Sequence, residues 1–434
     1  MSEEVRGSFD SRALVQAWLD VERALAEAEA EVGVIPAEAA ARIGREADAS
    51  LYDLTALRRG IAESQHPLVP LVRALAERCG DDGGWVHWGA TTQDVIDTGA
   101  VLQARAALAP IKRDLGRATA AAAGLARRHA GTPMAGRTHG QHAVPITFGL
   151  KAASWTDELQ RAEERLSRAE LSLTGQLGGA AGTLASLGED AAAVQSAFCR
   201  RLGLGEPAVT WHSARDRIRD LGHALAEAAA AGERIAAEVV SLQATELAEV
   251  AEPLADGHVG SSTMPQKRNP MVCEYVVATA RLLRGAVGVL TGGPAHLHER
   301  DMGAWAAEWI ALPQALILAG GLAAKLAAVL EGLVVYPERM RLNLELSRGQ
   351  IMAEAVMMVL ARELGHERAH EVVARAAVRA TAAEMDFAAA LLEDPDIAAR
   401  LGPERIAEVL DPAGYLGLAA AVAGSVAART TEVA

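Results

Sequence analysis

Aromatic side chains are scarce: 3% of the 434 residues are Phe, Trp or Tyr, although 50% are hydrophobic. With so few rings, the core must be filled by small and aliphatic groups, and an Ala/Leu-rich remainder favours close-packed helices. Cysteine is rarer still. Cys79, Cys199 and Cys273 are an odd number at unrelated spacings, which argues against a disulfide framework and fits a reducing compartment. Lys and Arg fall short of Asp and Glu, 42 against 56, leaving a formal charge of −14. Such a body repels polyanions, so no nucleic-acid or anionic-membrane partner is expected, and an anionic substrate needs a local basic pocket. Long apolar runs are missing too. Leu316–Val334 is interrupted by Gly320, Gly321, Lys325 and Glu331 and is not read as a membrane span. Met1-Ser2-Glu3-Glu4 is polar and acidic, so no signal peptide is expected and the expected location is cytoplasmic. There is no internal repeat, low-complexity linker or strand-rich block.

What is present is helical periodicity, and the expected fold class is all-α. Ser11 to Val34 places Leu14, Trp18, Val21, Leu25 and Ala28 on one face, and Gly33-Val34-Ile35-Pro36 ends it. A second helical stretch leads to Gly83-Gly84, and the first boundary falls near Thr92. Leu102–His129, Thr147–Leu173, Ile218–Val250 and Pro270–Leu290 each keep a helical apolar period for roughly 20 residues or more, beyond the usual ~11–12. Helices of that length need partners along their whole extent, which predicts a tight bundle shared between subunits. Pro253, Gly293-Pro294 and Pro313 punctuate it, and shorter helices return from Leu346. The chain is too long for one compact core. The expected domains are 1–92, 93–345 and 346–434.

Residues 257–270, Gly-His-Val-Gly-Ser-Ser-Thr-Met-Pro-Gln-Lys-Arg-Asn-Pro, are the most informative stretch. Gly260, Ser261 and Ser262 form a small polar loop whose N–H groups can turn to one point, with Lys267 and Asn269 able to face it. Asn269 is expected as a helix N-cap with Pro270 at the first helical position, giving a positive helix end for carboxylates and enolate-like anions. The plain alternative is a Ser/Gly linker. Two further polar islands interrupt the helices. His87-Trp88-Gly89-Ala90-Thr91-Thr92-Gln93-Asp94 offers hydroxyls and an amide for a carboxylate, or an N-cap cluster. Gly136-Arg137-Thr138-His139-Gly140-Gln141-His142 holds a His-x-x-His pair; no Cys or carboxylate cluster accompanies it, so no metal is expected. Trp211–Arg217 and His298–Trp305 hold Arg215 and Arg300, which read as pocket cations or as salt-bridged helix surface. His366 and His370 read as solvated surface.

The run Gly260–Pro270, together with the 87–94 and 136–142 islands, resembles the signature of the fumarase/aspartase superfamily. That superfamily includes fumarases, aspartases, argininosuccinate and adenylosuccinate lyases and 3-carboxy-cis,cis-muconate cycloisomerases. The resemblance implies three helical domains, a homotetramer with a central long-helix bundle, active sites built from three subunits, a small anionic dicarboxylate substrate and no cofactor. It implies Ser261 as the base and His139 as the acid or partner of the leaving group. A proton taken from carbon beside a carboxylate leaves a doubly charged aci-carboxylate, which needs donors placed where that charge develops. Lys267, Asn269, Ser262, Thr91 and Thr92 suit that task, with His87, Gln93, Arg137, Gln141, Arg215 and Arg300 expected to bind substrate.

Met302-Gly303-Ala304-Trp305, Glu308-Trp309, Asp411–Gly417 and Gln93 are similar to the cycloisomerase branch, and a serine-rich nucleotide-holding run is missing, which disfavours adenylosuccinate. His139 departs from that branch, whose bacterial members usually carry Trp there. The expected function is therefore β-elimination from a substituted succinate, releasing fumarate and a small amine- or nitrite-type group. The alternative is a 3-carboxy-cis,cis-muconate cycloisomerase; an adenylosuccinate lyase or an inactive structural homologue ranks below both.

Overall fold

Asp10 opens the first long helix by accepting hydrogen bonds from the N–H groups of Arg12 and Ala13, and Gly33, at φ 93°, closes it. In this computed structural model, residues 2–254, 263–292 and 296–432 are described. The opening helices are α1 (Glu3–Gly7), α2 (Ser11–Val32), α3 (Ala37–Glu46), α4 (Leu54–Ser64) and α5 (Val69–Cys79). α6 (Thr92–Arg128), α7 (Phe148–Ser172), α8 (Ala191–Arg201), α9 (Asp216–Gln243), α10 (Met271–Gly292) and α11 (Met302–Glu331) follow. α12 (Pro337–Glu345), α13 (Ala353–Leu364) and α14 (His366–Ala382) begin a run of shorter helices that ends in Ala419–Glu432. The all-α class holds.

Five helices, α6, α7, α9, α10 and α11, run 37, 25, 28, 22 and 30 residues. Their buried stripes are mainly Ala and aliphatic residues, as on α6, where Ala104, Ala107, Leu108, Ile111, Leu115 and Ala118 are all at most 2% exposed, and α7 adds Phe148 and Trp155. That spacing puts one narrow face inward. Pro313, expected to break the chain, lies inside α11. α11 is long and apolar enough to cross a membrane by length and composition, but 61% of its most apolar stretch is buried within the fold, so core packing accounts for its character. Gly320 on this helix has a packing reason: a Cβ there would meet Val5 Cγ2 at 2.6 Å.

The chain divides into two compact units, each from three segments. Unit 1 comprises Met1–Leu115, Arg161–Glu233 and Val276–Lys325; unit 2 comprises Gly116–Gln160, Arg234–Tyr275 and Leu326–Ala434. Each of the five long helices contributes residues to both. Unit 1 has a core around Trp18, Leu19, Leu25, Leu75 and Phe198. Unit 2 has one around Val356, Val372, Phe387 and Leu391.

Unit 2 also holds a hairpin where the sequence reading saw only a polar island. β1 (Pro133–Thr138) pairs antiparallel with β2 (Gln141–Thr147), with Thr138 opposite Gln141 and Arg137 opposite His142. His139 and Gly140 are the two turn residues, at φ 52° and 74°, the double positive φ of a type I′ turn. A second two-residue pair, β3 (Val250–Ala251) with β4 (Val334–Val335), lies in the same unit.

Candidate active site

In unit 1 the site builds from the first turn of α6. Asp94 accepts hydrogen bonds from the N–H groups of Thr91 (3.0 Å), Gly178 and Gly179 (2.9 Å each), and its Oδ1 lies 2.7 Å from His212 Nε2. One buried carboxylate thus fixes the helix start, the 178–179 loop and an imidazole. Thr91 and Thr92 beside it are half-buried, and Thr92 Oγ1 stands 3.5 Å from His66 Nε2.

Gln93, expected to touch substrate, is 1% exposed, and its amide is wholly engaged. Nε2 donates to Asp97 and to the His212 carbonyl, and Oε1 accepts from Arg300 Nε at 2.9 Å. Arg300 Nη2 is buried and, among the described residues, has no partner. Gln93 therefore orients Arg300, whose remaining donor suits an anion.

Arg215 is committed elsewhere. It lies 3% exposed, donating through Nη1 and Nη2 to Asp97 (2.7 and 2.9 Å) and through Nε and Nη2 to Glu308, with its guanidinium 4.8 Å from the Trp211 ring. Burial alone lowers its pKa, but Asp97 and Glu308 together raise it, so the cation persists. Trp305 Nε1 completes the set by donating to Asp97 at 2.8 Å. Arg215 and Glu308, one from each of the 211–217 and 298–309 segments, thus close a buried ion-pair network on Asp97, while Arg300 keeps its Nη2 donor for an anion.

His87 sits before this helix start at φ 62°, its Nδ1 2.7 Å from Glu22 Oε1. Glu22 was not singled out from sequence. The available signal was a carboxylate on the apolar stripe of α2, between Trp18, Leu19 and Leu25.

In unit 2, Arg137 is bidentate to Glu249, at 2.9 and 2.7 Å, and Asn343 Nδ2 donates to the same carboxylate at 2.8 Å. Glu249 is fully buried, so the pair anchors the hairpin. His139 and Gln141 project from the exposed tip, where neither side chain has a hydrogen bond among the described residues. His142 is half-buried, its pKa lowered by burial and then by Arg137.

Of the signature loop, Gly260, Ser261 and Ser262 lie outside the described residues. Lys267 is exposed on a turn closed by its N–H to the Met264 carbonyl at 3.0 Å. The positive end expected at Asn269-Pro270 is displaced by one residue, since α10 starts at Met271. It is also already occupied: Val272 and Cys273 donate their N–H groups to the Glu252 carboxylate. Burial and then Glu252 push the Cys273 thiol pKa up, so it is no nucleophile. No group of His, Cys, Asp and Glu able to hold a metal occurs among the described residues.

Unit 1 thus offers a helical frame with polar islands at its helix ends and unit 2 a histidine-tipped hairpin, and the family they match is one of all-α lyases. Residues 1–285 match the family model described as Lyase, and residues 349–426 that described as Adenylosuccinate lyase C-terminus. The chain belongs to this lyase family, within the fumarase/aspartase superfamily. It is similar to the 3-carboxy-cis,cis-muconate cycloisomerase of Pseudomonas aeruginosa, 42% identical over 427 residues, 97% of this chain and 93% of the relative. It is also similar to the N-acetyl-S-(2-succino)cysteine lyase of Dickeya dadantii, 37% identical over 417 residues, 96% and 92% of the two chains. The crystal structure of the 3-carboxy-cis,cis-muconate lactonizing enzyme from Pseudomonas putida superposes with a TM-score of 0.92 at 37% identity, covering 99% and 97%.

These likenesses correct the expected reaction. Fumarate-releasing β-elimination rested on one side chain, His139, whereas the cycloisomerase likeness runs end to end in sequence and in fold. Lyase membership stands; a carbon–nitrogen bond specificity does not follow from it.

Proposed function

We propose that this enzyme interconverts a 3-carboxy-cis,cis-muconate and its lactone, an intramolecular addition of a carboxylate oxygen across a neighbouring double bond. The observation that carries the reading is the end-to-end similarity to cycloisomerases, supported by Arg300 with a buried unpaired donor beside Gln93.

The chemistry is balanced within one molecule. A C–O bond forms to the carbon β to a second carboxylate, that carboxylate takes up the electron pair as an aci-carboxylate, and a proton is then delivered to the α-carbon. Ser261 is assigned as the group that gives and, in reverse, takes this proton, with Lys267, Asn269, Ser262, Thr91 and Thr92 stabilising the doubly charged intermediate. Arg300, His87, Arg137 and Gln141 are assigned to the substrate's carboxylates or to their support. The group that departs in reverse is a carboxylate, stable as an anion near neutral pH, so no strong acid is needed at His139. We further propose a cytoplasmic homotetramer in which other copies complete the site around the exposed hairpin tip.

The test is ultraviolet and proton NMR monitoring of purified enzyme with 3-carboxy-cis,cis-muconate. Loss of the diene signal with appearance of lactone protons is expected, and Ser261→Ala should reduce kcat by ~10²–10⁴. No consumption of the carboxymuconate, with fumarate released from a substituted succinate, would overturn the proposal.

A further inference from the structure

Glu22 lies on the buried face of α2, with only 1% of its surface exposed. A carboxylate in such a place is costly unless a partner offsets it. Among the described residues its hydrogen-bond partner is His87, 65 residues away, with Nδ1 2.7 Å from Glu22 Oε1; Oε2 has none. His87 itself holds φ 62°, a left-handed backbone that non-glycine residues rarely adopt, and such strain collects at functional sites. Its side chain keeps 19% of its surface exposed, and its Nε2 makes no hydrogen bond among the described residues. Thr91 and Thr92 follow four and five residues on.

We propose that Glu22 is a positioning residue for His87: it accepts the Nδ1 proton, fixes the ring, and leaves Nε2 to meet a carboxylate of the substrate. This deepens the reading above, in which the 87–94 island binds a carboxylate. Burial by itself lowers the His87 pKa, but Glu22, with Asp94 behind it, outweighs that and raises it. In the protonated ring Nε2 donates to the substrate carboxylate in a charge-assisted hydrogen bond, and the raised pKa extends this form towards higher pH. Among the described residues, the charged or titratable groups acting on the pair are Glu29 from α2 and Asp94 from α6. Asp94 is engaged by Gly178, Gly179 and His212, and Glu29 is pushed up to about 8 by burial and then by Glu22, so it stays neutral at pH 7.

The experiment uses full-length enzyme labelled with ¹⁵N-histidine, and tricarballylate, a saturated tricarboxylate that cannot react, as binding probe. In wild type above the His87 midpoint, the ring is expected as the Nδ1–H tautomer; an Nε2–H tautomer overturns the proposal without any variant. In Glu22→Gln the His87 midpoint should fall by about one unit or more, and tricarballylate should bind about tenfold more weakly at pH 7.5, the gap narrowing towards pH 5.5. With carboxymuconate, KM should rise while kcat stays within about threefold, the pattern of a lost binding contact. Glu29→Gln, which keeps the Glu22–His87 pair, should leave both readouts in place. An unshifted His87 midpoint, or unshifted tricarballylate affinity, in folded Glu22→Gln overturns the proposal. Failure of the cycloisomerase reading is separately visible as wild-type enzyme that does not consume carboxymuconate, with the NMR and binding readouts intact.

Discussion

At the start of α6, Gln93, Asp94 and Asp97 are buried with every side-chain oxygen and amide paired, whereas at the β1–β2 tip His139 and Gln141 are exposed and unpaired among the described residues. Both islands looked alike as sequence: short, polar and rich in potential donors. Burial separates them. A fully paired buried network is a frame, expensive to disturb, that sets where Thr91, Thr92 and Arg300 stand. An exposed turn with unpaired donors is cheap to change and has its hydrogen-bonding capacity left for a partner from outside the unit.

The sharpest way to break this contrast is Arg215→Met. It leaves Asp97 and Glu308 buried without their cation, and a loss of about 3–5 kcal/mol is expected in urea unfolding. A loss under about 1 kcal/mol would mean that the network is ornamental and the two islands are equivalent.

The next test concerns a buried carboxyl that lacks what Asp94 and Asp97 have. Glu29 is fully buried, and both its oxygens are without a partner among the described residues. Its folded pKa, about 8, lies above the ordinary value of 4.5. The neutral form is therefore favoured by folding; that stability is complete below about pH 4.5 and is lost as pH rises through 8. Wild type should lose several kcal/mol relative to Glu29→Gln between those limits, measured by denaturant unfolding at a series of pH values. Parallel curves for the two proteins across that range would show that Glu29 finds a partner in the native enzyme.

At the tip, Gly140→Ala places a Cβ on a residue at φ 74° with open space around it, so only backbone strain acts. A cost of about 1 kcal/mol is expected in thermal unfolding. His139→Trp should have the smallest effect, within about 0.5 kcal/mol for an exposed position and within about threefold in carboxymuconate turnover. Abolished turnover with unchanged assembly would give His139 a proton-transfer role that a cycloisomerase does not need.

Much of the helical architecture was legible because its signal is periodic. The run read from Leu102 to His129 crosses Pro110 without a break, as α6 does, and the stop at Gly33 is a left-handed cap. The hairpin was missed because its strands are six and seven residues long and its turn is His139-Gly140, not Asn-Gly or Asp-Gly. The polar islands were legible as candidates, but their pairing was not. Asp97, Arg215 and Glu308 lie far apart along the chain, and nothing local to Arg215 distinguishes a substrate cation from one enclosed by two carboxylates. Glu252, which fills the end of α10, was equally invisible, being 20 residues from the N–H it caps. The reaction was misread because one histidine was weighed above the whole chain.

The network around Asp97 has a consequence during synthesis. Trp305 donates to Asp97 across 208 residues, and Glu308 follows just after it. At about 5–20 residues per second, a ribosome needs roughly 10–40 s to pass from one partner to the other. Throughout that interval the nascent α6 carries a carboxylate whose final partners have not been made. The Asp97 network is therefore completed only after Trp305 and Glu308 have left the exit tunnel, long after the Asp94 contacts to the 178–179 loop have become available.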